Sequence, residues 1–226
     1  MSDEYTKINT IFKREMKNGN PGRIIEGDFS KEEFKNIKLW HITEKIHGMN
    51  MRIIYDIFTP SANTSDWVYF RGKTDDAMIP GNLVDYLRKI FPVKKFEEIW
   101  PMKDSQYTVK KVILYGEGYG PKVQEGGGRY RDDASFILFD VKIDNWWLEP
   151  NNVKDIAQKF GIDYVPELGI MTMEEAIAIV KEQKPISRIS KDRTYIAEGI
   201  VARSYPLVLF RNGEPVIWKL KVKDYK

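Results

Sequence analysis

The sequence has no cysteine and only two histidines, His41 and His47. The absence of cysteine excludes a disulfide scaffold, a thiol nucleophile and a cysteine-ligated metal site, and two histidines are too few for a histidine-rich zinc site. No apolar run approaches the roughly 18–20 residues that a membrane-spanning helix needs. The acidic, polar start also differs from a signal peptide, which is basic and then apolar. We therefore expect a cytoplasmic protein without membrane partners.

An excess of charge of either sign is also missing, because 36 basic and 33 acidic residues leave a net charge of +3. This balance is too mild to indicate nucleic-acid binding, which usually shows as a strong basic patch. At roughly 150 residues per domain, a chain of 226 residues favours one sizeable domain over two small ones.

The apolar segments mostly follow the two-residue period of half-buried strands. The predicted strands are residues 39–43, 49–57, 67–71, 109–115, 135–143, 196–203 and 216–222. Predicted helices are fewer: residues 80–91, residues 152–160 ended by Gly161, and a helix capped by Thr172 with Glu175 that runs to about residue 183. Ser30 and Glu33 form a further capping-box pattern. Because the strands outnumber the helices and do not alternate with them, the predicted fold class is α+β, built on antiparallel sheets.

The first candidate for chemistry is the segment E-K-I-H-G-M-N at residues 44–50. A lysine amine can attack an electrophile and form a covalent intermediate, and the glycine three residues after Lys45 lets the backbone approach a phosphate closely. Alone, such a lysine is more often a solvated residue beside a turn.

Four further segments follow Lys45 in a fixed order. They are Y-G-E-G with Glu117 at a strand end, F-I-L-F-D-V with Phe139 and Asp140, E-G-I-V-A-R beginning at Glu198, and W-K-L-K with Lys219 and Lys221 on one strand face. Together with the lysine segment they resemble the ordered motifs of the covalent nucleotidyltransferase superfamily of ATP-dependent ligases and mRNA capping enzymes. The closest resemblance is to the phage-type RNA ligases related to RNA ligase 2, whose nucleophile motif E-K-x-H-G-x-N is matched by His47 and Asn50.

The resemblance implies a nucleotidyltransferase fold, an ATP-grasp-like ligase adenylation domain that occupies residues 1–226. We expect no C-terminal OB-fold or other accessory domain. It also implies that Lys45 attacks the α-phosphorus of ATP, giving lysyl-AMP and pyrophosphate. Glu44 would read the adenine, Phe139 would stack on the purine and Glu117 would hold the ribose hydroxyls.

The remaining roles concern phosphate and metal. By resemblance, Glu198 engages a divalent ion, Mg²⁺ or Mn²⁺, and Asp140 is a second metal candidate. Lys219 and Lys221 would neutralise the α-phosphate. The other implied nucleotide-pocket positions are His47, Gly48 and Asn50.

One family position is matched imperfectly. The family carries an arginine, commonly followed by serine or threonine, between the nucleophile and the strand-end glutamate. Here the segment reads F-R-G-K-T-D, so that either Lys73, which precedes the threonine, or Arg71, placed two residues earlier on the same strand face, fills the position. Lysine keeps the charge but lacks the planar guanidinium with which arginine makes two hydrogen bonds to a phosphate. The choice between Lys73 and Arg71 stays open.

A glycine-rich segment at residues 119–131 ends in Arg129 and Arg131. These two arginines are candidates for contacts with a nucleic-acid backbone; the alternative is an ordinary flexible surface loop.

The predicted function is that of an ATP-dependent RNA ligase in RNA repair, a monomer that joins 5′-phosphate and 3′-hydroxyl ends of RNA, with DNA or hybrid substrates left open. The alternatives are a minimal DNA ligase or an end-adenylylating enzyme that seals weakly. A capping guanylyltransferase is less favoured. From a different class, the chain could be an inactive nucleic-acid-binding relative.

Overall fold

The computed structural model describes residues 3–57, 67–101 and 109–225. Numbered in chain order, the strands are β1 (Asn9–Thr10), β2 (Phe12–Lys17), β3 (Asn20–Phe29), β4 (Leu39–Lys45), β5 (Met49–Asp56), β6 (Val68–Arg71), β7 (Lys111–Tyr119), β8 (Ser135–Ile143), β9 (Trp146–Trp147), β10 (Asp163–Tyr164), β11 (Glu167–Met171), β12 (Gly199–Tyr205) and β13 (Ile217–Lys221). The α-helices are α1 (Gly81–Ile90), α2 (Val93–Ile99), α3 (Pro150–Phe160) and α4 (Met173–Ala178).

The chain divides into two compact units. Unit 1 comprises Met1–Tyr5 and His47–Tyr164, and unit 2 comprises Thr6–Ile46 and Val165–Lys226. The boundary between Ile46 and His47 falls inside the candidate nucleophile segment, so Lys45 belongs to unit 2 and His47 to unit 1.

The sheet of unit 1 pairs its strands in the order β10-β8-β7-β5-β6, with β9 also paired to β8. All of these pairings are antiparallel except that of β10 with β8. Strands β5, β7 and β8 are largely buried because their sequences are nearly continuous apolar runs. Helices α1 and α3 add Leu83, Leu87, Val153 and Phe160 to the same core. Helix α3 ends at Gly161, whose φ of 68° lies in the left-handed region that glycine adopts readily.

The sheet of unit 2 has the order β1-β13-β12-β4-β11, and only the pairing of β1 with β13 is parallel. One face of this sheet forms the core of the unit. The core side chains of the sheet are Trp40, Ile42, Ile200, Ala202, Trp218 and Leu220, packed with Met173 and Ala176 of α4. Because strand side chains alternate between faces, the odd-numbered residues of β4 and β13, which include Lys45, Lys219 and Lys221, lie on the opposite face.

The structure confirms an α+β fold with mostly antiparallel sheets. Each predicted strand corresponds to an observed one, with ends displaced by up to about four residues as is usual for element boundaries, and the predicted capping box of Thr172 with Glu175 is present. The β2–β3 hairpin, the strands β1, β9, β10 and β11, and helix α2 were not predicted from the sequence.

The capping box predicted at Ser30 and Glu33 is wrong. The helix there is a 3₁₀ helix, Glu32–Asn36, whose N-cap is Lys31 without a side-chain capping bond. The Ser30 hydroxyl instead donates to the carbonyl oxygen of Thr10 at 2.6 Å, so it ties the hairpin to β1. None of the helices within the described ranges is both long enough and apolar enough to cross a membrane.

Candidate active site

Two lysines and one glutamate meet at one end of the unit 2 sheet. Strand β12 lies between β4 and β13, and Gly199, its first residue, is paired with Lys45 on one side and with Lys221 on the other. Because both neighbours run antiparallel to β12, they end where β12 begins. The Nζ atom of Lys45 lies 2.7 Å from Oε2 of Glu198, and Nζ of Lys221 lies 2.5 Å from its Oε1.

Gly199 permits this close arrangement. A Cβ atom at this position would lie 2.1 Å from the carbonyl oxygen of Leu220 and 2.7 Å from Cα of Lys221. Any side chain would therefore push β12 away from β13 and separate Glu198 from Lys221.

The two lysines keep Glu198 ionised. Its partial burial would by itself raise the pKa of the carboxyl, but the charges and hydrogen bonds of Lys45 and Lys221 outweigh that effect and hold the pKa below its ordinary value. The side chains of Lys45, Glu198 and Lys221 are 20%, 14% and 21% exposed. The cluster is therefore shielded from bulk water but still reachable by a ligand.

Lys219 lies on the same face of β13 as Lys221, two residues before it in the strand. Its main chain is paired with Val201 of β12 and with Thr10 of β1. The structure thus brings Lys45, Glu198, Lys219 and Lys221 onto one face of one sheet, which confirms the predicted strand placement of the two C-terminal lysines.

Glu44 points to the other face of β4. It shares that face with the core residues Trp40 and Ile42, and it is almost completely buried. Its Oε1 accepts a hydrogen bond from the Ser187 hydroxyl at 2.5 Å, and its Oε2 accepts one from the main-chain N–H of Arg188 at 2.8 Å.

Burial raises the pKa of the Glu44 carboxyl, although the bonds from Ser187 and Arg188 act in the opposite direction. Glu44 also lines a cavity of about 220 Å³ together with Ile186 and Arg188. Its role in reading adenine stays a prediction, and the observed contacts show it anchoring the segment that follows Pro185.

In unit 1, Gly48, Asn50 and Glu117 lie close together where β5 meets β7. Asn50 is paired with Glu117. A Cβ atom at Gly48 would lie 2.3 Å from the carbonyl oxygen of Gly118 and 2.8 Å from Cγ of Glu117, so only glycine fits at this crossing. Within the described residues, the buried Oδ1 of Asn50 has no hydrogen-bond partner, and a buried acceptor of this kind is normally satisfied by a donor.

One predicted placement in this region needs correction. Glu117 is inside β7, which continues to Tyr119, and not at the strand end itself; the strand is irregular between Tyr115 and Gly116. The main-chain N–H of His47 donates to the Tyr130 hydroxyl at 3.3 Å, which attaches His47 to the glycine-rich segment.

Phe139 and Asp140 are adjacent on β8 and both contact Tyr5. The rings of Tyr5 and Phe139 are 5.0 Å apart in an edge-on arrangement, and the Tyr5 hydroxyl donates to Oδ2 of Asp140 at 2.9 Å. Oδ1 of Asp140 accepts from the main-chain N–H of Val141 at 3.0 Å, and the residue is fully buried. These contacts favour a positioning role for Asp140, and its metal role stays a prediction.

The placement of Arg71 and Lys73 on one strand face is wrong. Strand β6 ends at Arg71, whose guanidinium lies 5.2 Å from the centroid of the Tyr69 ring, and Lys73 is exposed in the following bend. The bend is fixed by Arg52, a fully buried residue of β5 that donates to the carbonyl oxygen of Gly72 at 2.9 Å and to Oδ1 of Asp75 at 2.8 Å.

Arg52 and Ser187 are site-supporting residues that the sequence analysis missed. The available signal for Arg52 was a charged residue inside the apolar run of β5, which a buried position tolerates only with partners. The sequence carries no comparable signal for Ser187.

Arg129 is the last residue of a short 3₁₀ turn in unit 1, Gly127–Arg129, and Arg131 follows two residues later. The N–H of Arg129 donates to the carbonyl of Gly126 at 3.1 Å, and Nε of Arg131 lies 3.0 Å from Oδ1 of Asp133. Their contact with nucleic acid stays a prediction. In the part of the chain that the structure describes, no three acidic or histidine side chains are grouped so as to hold a metal ion.

The sequence matches the family model described as RNA ligase over residues 38–221. No curated protein matches it. Among solved structures, a mutant RNA ligase of Naegleria gruberi with ATP and Mn has a TM-score of 0.61 at 16% identity, covering 97% of this chain and 61% of that chain. Another mutant of that ligase, with AMP and Mn, has a TM-score of 0.61 at 16% identity and covers 98% and 62%.

The same ligase with PPi has a TM-score of 0.61 at 17% identity and covers 97% of this chain and 62% of that chain. The chain therefore spans about three fifths of the length of these structures, and at such identities the likeness shows a shared fold. The family model covers most of the sequence, from before β4 to the end of β13. On this match, the chain belongs to the RNA ligase family.

Proposed function

We propose that this chain is an ATP-dependent RNA ligase whose nucleotidyltransferase fold, within residues 1–226, forms a covalent lysyl-AMP on Lys45. The AMP is then transferred to the 5′-phosphate end of an RNA, which is sealed to a 3′-hydroxyl. The observation that carries the proposal is the position of Lys45, whose Nζ atom is held 2.7 Å from Glu198 in a partly shielded cluster of charges.

In the first step, the Nζ lone pair of Lys45 attacks the α-phosphorus of ATP. A P–N bond forms, the bond from the α-phosphorus to the oxygen that bridges to the β-phosphate breaks, and pyrophosphate leaves. The lysine ammonium first gives up one proton to solvent, because only the free amine is a nucleophile, and the nitrogen loses a second proton to solvent once the P–N bond has formed. The contact with Glu198 fixes the direction in which the amine points before attack.

Lys219 and Lys221 supply positive charge on the same face. Negative charge accumulates on the oxygens of the phosphorus under attack, and lysines placed beforehand stabilise it without having to reorganise. Lys221 is held by Oε1 of Glu198, so the same carboxylate positions both the nucleophile and one charge-stabilising group.

Glu198 suits a divalent cation. Its carboxylate is ionised, and hard oxygen donors are the ligands that Mg²⁺ and Mn²⁺ prefer. Both of its oxygens contact lysines, so Glu198 can offer an oxygen to a metal ion only after one lysine turns away. When bound, the cation would neutralise charge on the phosphates; with a single glutamate available, most of its remaining ligands would be water and phosphate oxygens.

In unit 1 we assign Phe139 to stacking on the base and Glu117 to the ribose hydroxyls. The side-chain oxygen of Asn50 is assigned to accept a hydrogen bond from the substrate. The partly exposed ring of Phe139 is braced by Tyr5, and among the residues that the structure describes, the buried Oδ1 of Asn50 has no donor. His47, Gly48 and one of the pair Lys73 and Arg71 complete the assignment.

The later steps use the AMP attached to Lys45 to activate the 5′-phosphate of the RNA and then to join the two ends. An oxygen of the RNA 5′-phosphate attacks the phosphorus of lysyl-AMP, which frees the Lys45 amine and leaves AMP joined to the RNA end. The 3′-hydroxyl then attacks the 5′-phosphorus, AMP departs, and a phosphodiester bond remains. The Naegleria gruberi ligase structures with ATP, with AMP and with PPi support the proposal, because these are the substrate and the expected products of such steps.

The proposal is tested by incubating the protein with [α-³²P]ATP or [α-³²P]GTP and a divalent metal, followed by denaturing electrophoresis. We expect covalent label from ATP and not from GTP. Lys45→Arg keeps the positive charge beside Glu198 but removes the nucleophile, and it should abolish labelling, whereas Lys38→Arg, at an exposed position before β4, should label normally. The unlabelled protein should seal a nicked RNA duplex when ATP is supplied. Label that persists in Lys45→Arg would overturn the assignment.

A further inference from the structure

A second charged surface of unit 2 is formed by residues 184–193, which we call the basic loop. Residues 181–193 contain five cations and two acids, a net charge of +3, which equals the formal net charge of the whole chain. Within the loop, Lys184, Arg188, Lys191 and Arg193 are all exposed. None of these residues was used in the proposed catalytic chemistry.

The basic loop has a defined shape. Its base is closed by two main-chain hydrogen bonds, from the N–H of Ser187 to the carbonyl of Tyr195 and from the N–H of Ala197 to the carbonyl of Pro185, each 2.8 Å long. Near the tip, Oδ1 of Asp192 accepts hydrogen bonds from the N–H and the hydroxyl of Thr194. The carboxylate of Asp192 is therefore engaged with its own turn.

The basic loop is attached to the strand that carries the nucleophile. The buried carboxylate of Glu44 accepts one hydrogen bond from the Ser187 hydroxyl and one from the main-chain N–H of Arg188, and Glu44 is the neighbour of Lys45 in β4. The side chain of Arg188 is directed by a short hydrogen bond to the carbonyl oxygen of Glu167 and lines the cavity beside Glu44. The loop is thus fixed close to the end of β4.

We infer that the basic loop is an RNA-binding surface that holds phosphates of the RNA backbone through Lys184, Arg188, Lys191 and Arg193. This inference rests on the proposed function, since it supplies a binding surface for the substrate of that reaction. Charge complementarity favours a polyanion as the occupant, and a ribose-phosphate backbone presents one negative charge per nucleotide at a spacing that a row of cations can follow.

The test compares two double variants of equal charge change. Lys184→Gln with Arg193→Gln removes two cations of the basic loop. Arg88→Gln with Lys89→Gln removes one arginine and one lysine that are exposed at the end of α1 in unit 1. Binding of a nicked RNA duplex with a fluorescent label is measured by anisotropy over a series of salt concentrations, and self-adenylylation is measured in parallel.

We expect the basic-loop variant to bind RNA about tenfold more weakly near 0.1 M salt, and the slope of log K against log salt to become shallower by about 2, since each lost phosphate contact contributes about 0.9. The α1 variant should match the wild type in affinity and slope, and both variants should self-adenylylate normally. Arg188→Ala alone, which keeps the main-chain bond to Glu44, should make the slope shallower by about 1.

Three results would overturn the inference: a basic-loop variant with wild-type affinity and slope, an equal loss in the α1 variant, or a wild-type protein that does not bind the duplex. A basic loop that contacts an acidic protein instead of RNA would give the first result. Failure of the wild type to self-adenylylate would count against the proposed function. The comparison of RNA binding between the two double variants would still test the basic loop independently.

Discussion

The two units present their candidate residues in different ways. In unit 2, the candidates are charged side chains that neutralise one another, with Lys45 and Lys221 sharing the carboxylate of Glu198. In unit 1, Phe139 and Asp140 are held by Tyr5, and Asn50 carries a buried oxygen without a described partner. Unit 2 therefore has the features of a reaction centre, and unit 1 has those of a binding surface.

The difference indicates which kind of change each unit tolerates. A charge removed from unit 2 leaves other buried charges uncompensated, so it affects both reactivity and stability. A side chain removed from unit 1 takes away contact area and leaves the reacting groups in place. The predictions that follow test this division, beginning with the largest expected effect.

Loss of Glu198 should have the largest effect. In Glu198→Ala, Lys45 and Lys221 lose their common partner and repel each other, so the amine is no longer directed. We expect the rate of self-adenylylation to fall by about 100-fold or more, the size seen when a preorganised charged or polar group is removed from a reaction centre. Glu182→Ala, at an exposed position after α4, is the matched control and should label at the wild-type rate. A normal rate of self-adenylylation in Glu198→Ala would show that Glu198 does not direct the Lys45 amine.

Truncation of Phe139 should have a smaller effect of a different kind. If the ring stacks on the base, Phe139→Ala loses about 1–3 kcal/mol of binding. The KM for ATP in the labelling reaction should then rise about 5- to 150-fold, with kcat changed much less. Trp146→Ala, which removes an aromatic residue that is 77% exposed, should leave both constants unchanged. A fall in kcat alone would place Phe139 in the reaction centre and not in a binding surface.

The two glutamates of unit 2 should respond to pH in opposite directions. The folded-state pKa of Glu198 lies below its ordinary value of 4.5, so its ionised form stabilises the fold at neutral pH, and this contribution disappears as the pH falls below 4.5. The pKa of Glu44 lies above 4.5, so its ionisation costs stability at higher pH, and protonation recovers that cost as the pH falls.

Urea unfolding of the wild type, Glu198→Gln and Glu44→Gln from pH 2.5 to pH 8 measures these contributions, because the Glu198 contribution is lost below pH 4.5. As the pH rises, the stability advantage of the wild type over Glu198→Gln should grow, and that over Glu44→Gln should shrink. Each should change by about 1 kcal/mol for every unit by which the pKa is displaced. Parallel pH curves for the two variants would contradict the assigned electrostatics.

The smallest effect on nucleotide chemistry is expected for Arg129→Ala combined with Arg131→Ala in unit 1. Self-adenylylation should stay near the wild-type rate, and sealing of an RNA nick should fall several-fold and become less sensitive to salt. Equal losses of self-adenylylation and sealing would assign this segment to the nucleotide site or to the fold.

The strands of unit 2 and the shared face of its two C-terminal lysines could be predicted from the sequence because their signals are local. The alternation of Lys219 and Lys221 with apolar residues identifies a strand with both lysines on one face, and the structure confirms it. The cap formed by Thr172 and Glu175 could also be predicted from the sequence, because its hydrogen bonds join residues three positions apart.

What the sequence could not predict depends on contacts between distant residues. Ser30 forms part of an apparent capping box, yet its hydroxyl bonds to Thr10, a partner twenty residues away that no local pattern reveals. Likewise, Glu44 precedes the candidate nucleophile, but its carboxylate faces Ser187 and Arg188 on the reverse side of the sheet. The resemblance gave Glu44 a place in the motif without showing on which face its side chain lies.

The most direct test of the account is to locate the adenylate on the protein. After incubation with ATP and Mg²⁺ or Mn²⁺, the protein is digested, and its peptides are examined by mass spectrometry under conditions that preserve a P–N bond. We predict one AMP per chain, attached to Lys45 and absent from Lys45→Arg. AMP on any other residue, or a wild-type protein that acquires no AMP, would contradict the central claim that Lys45 is the nucleophile.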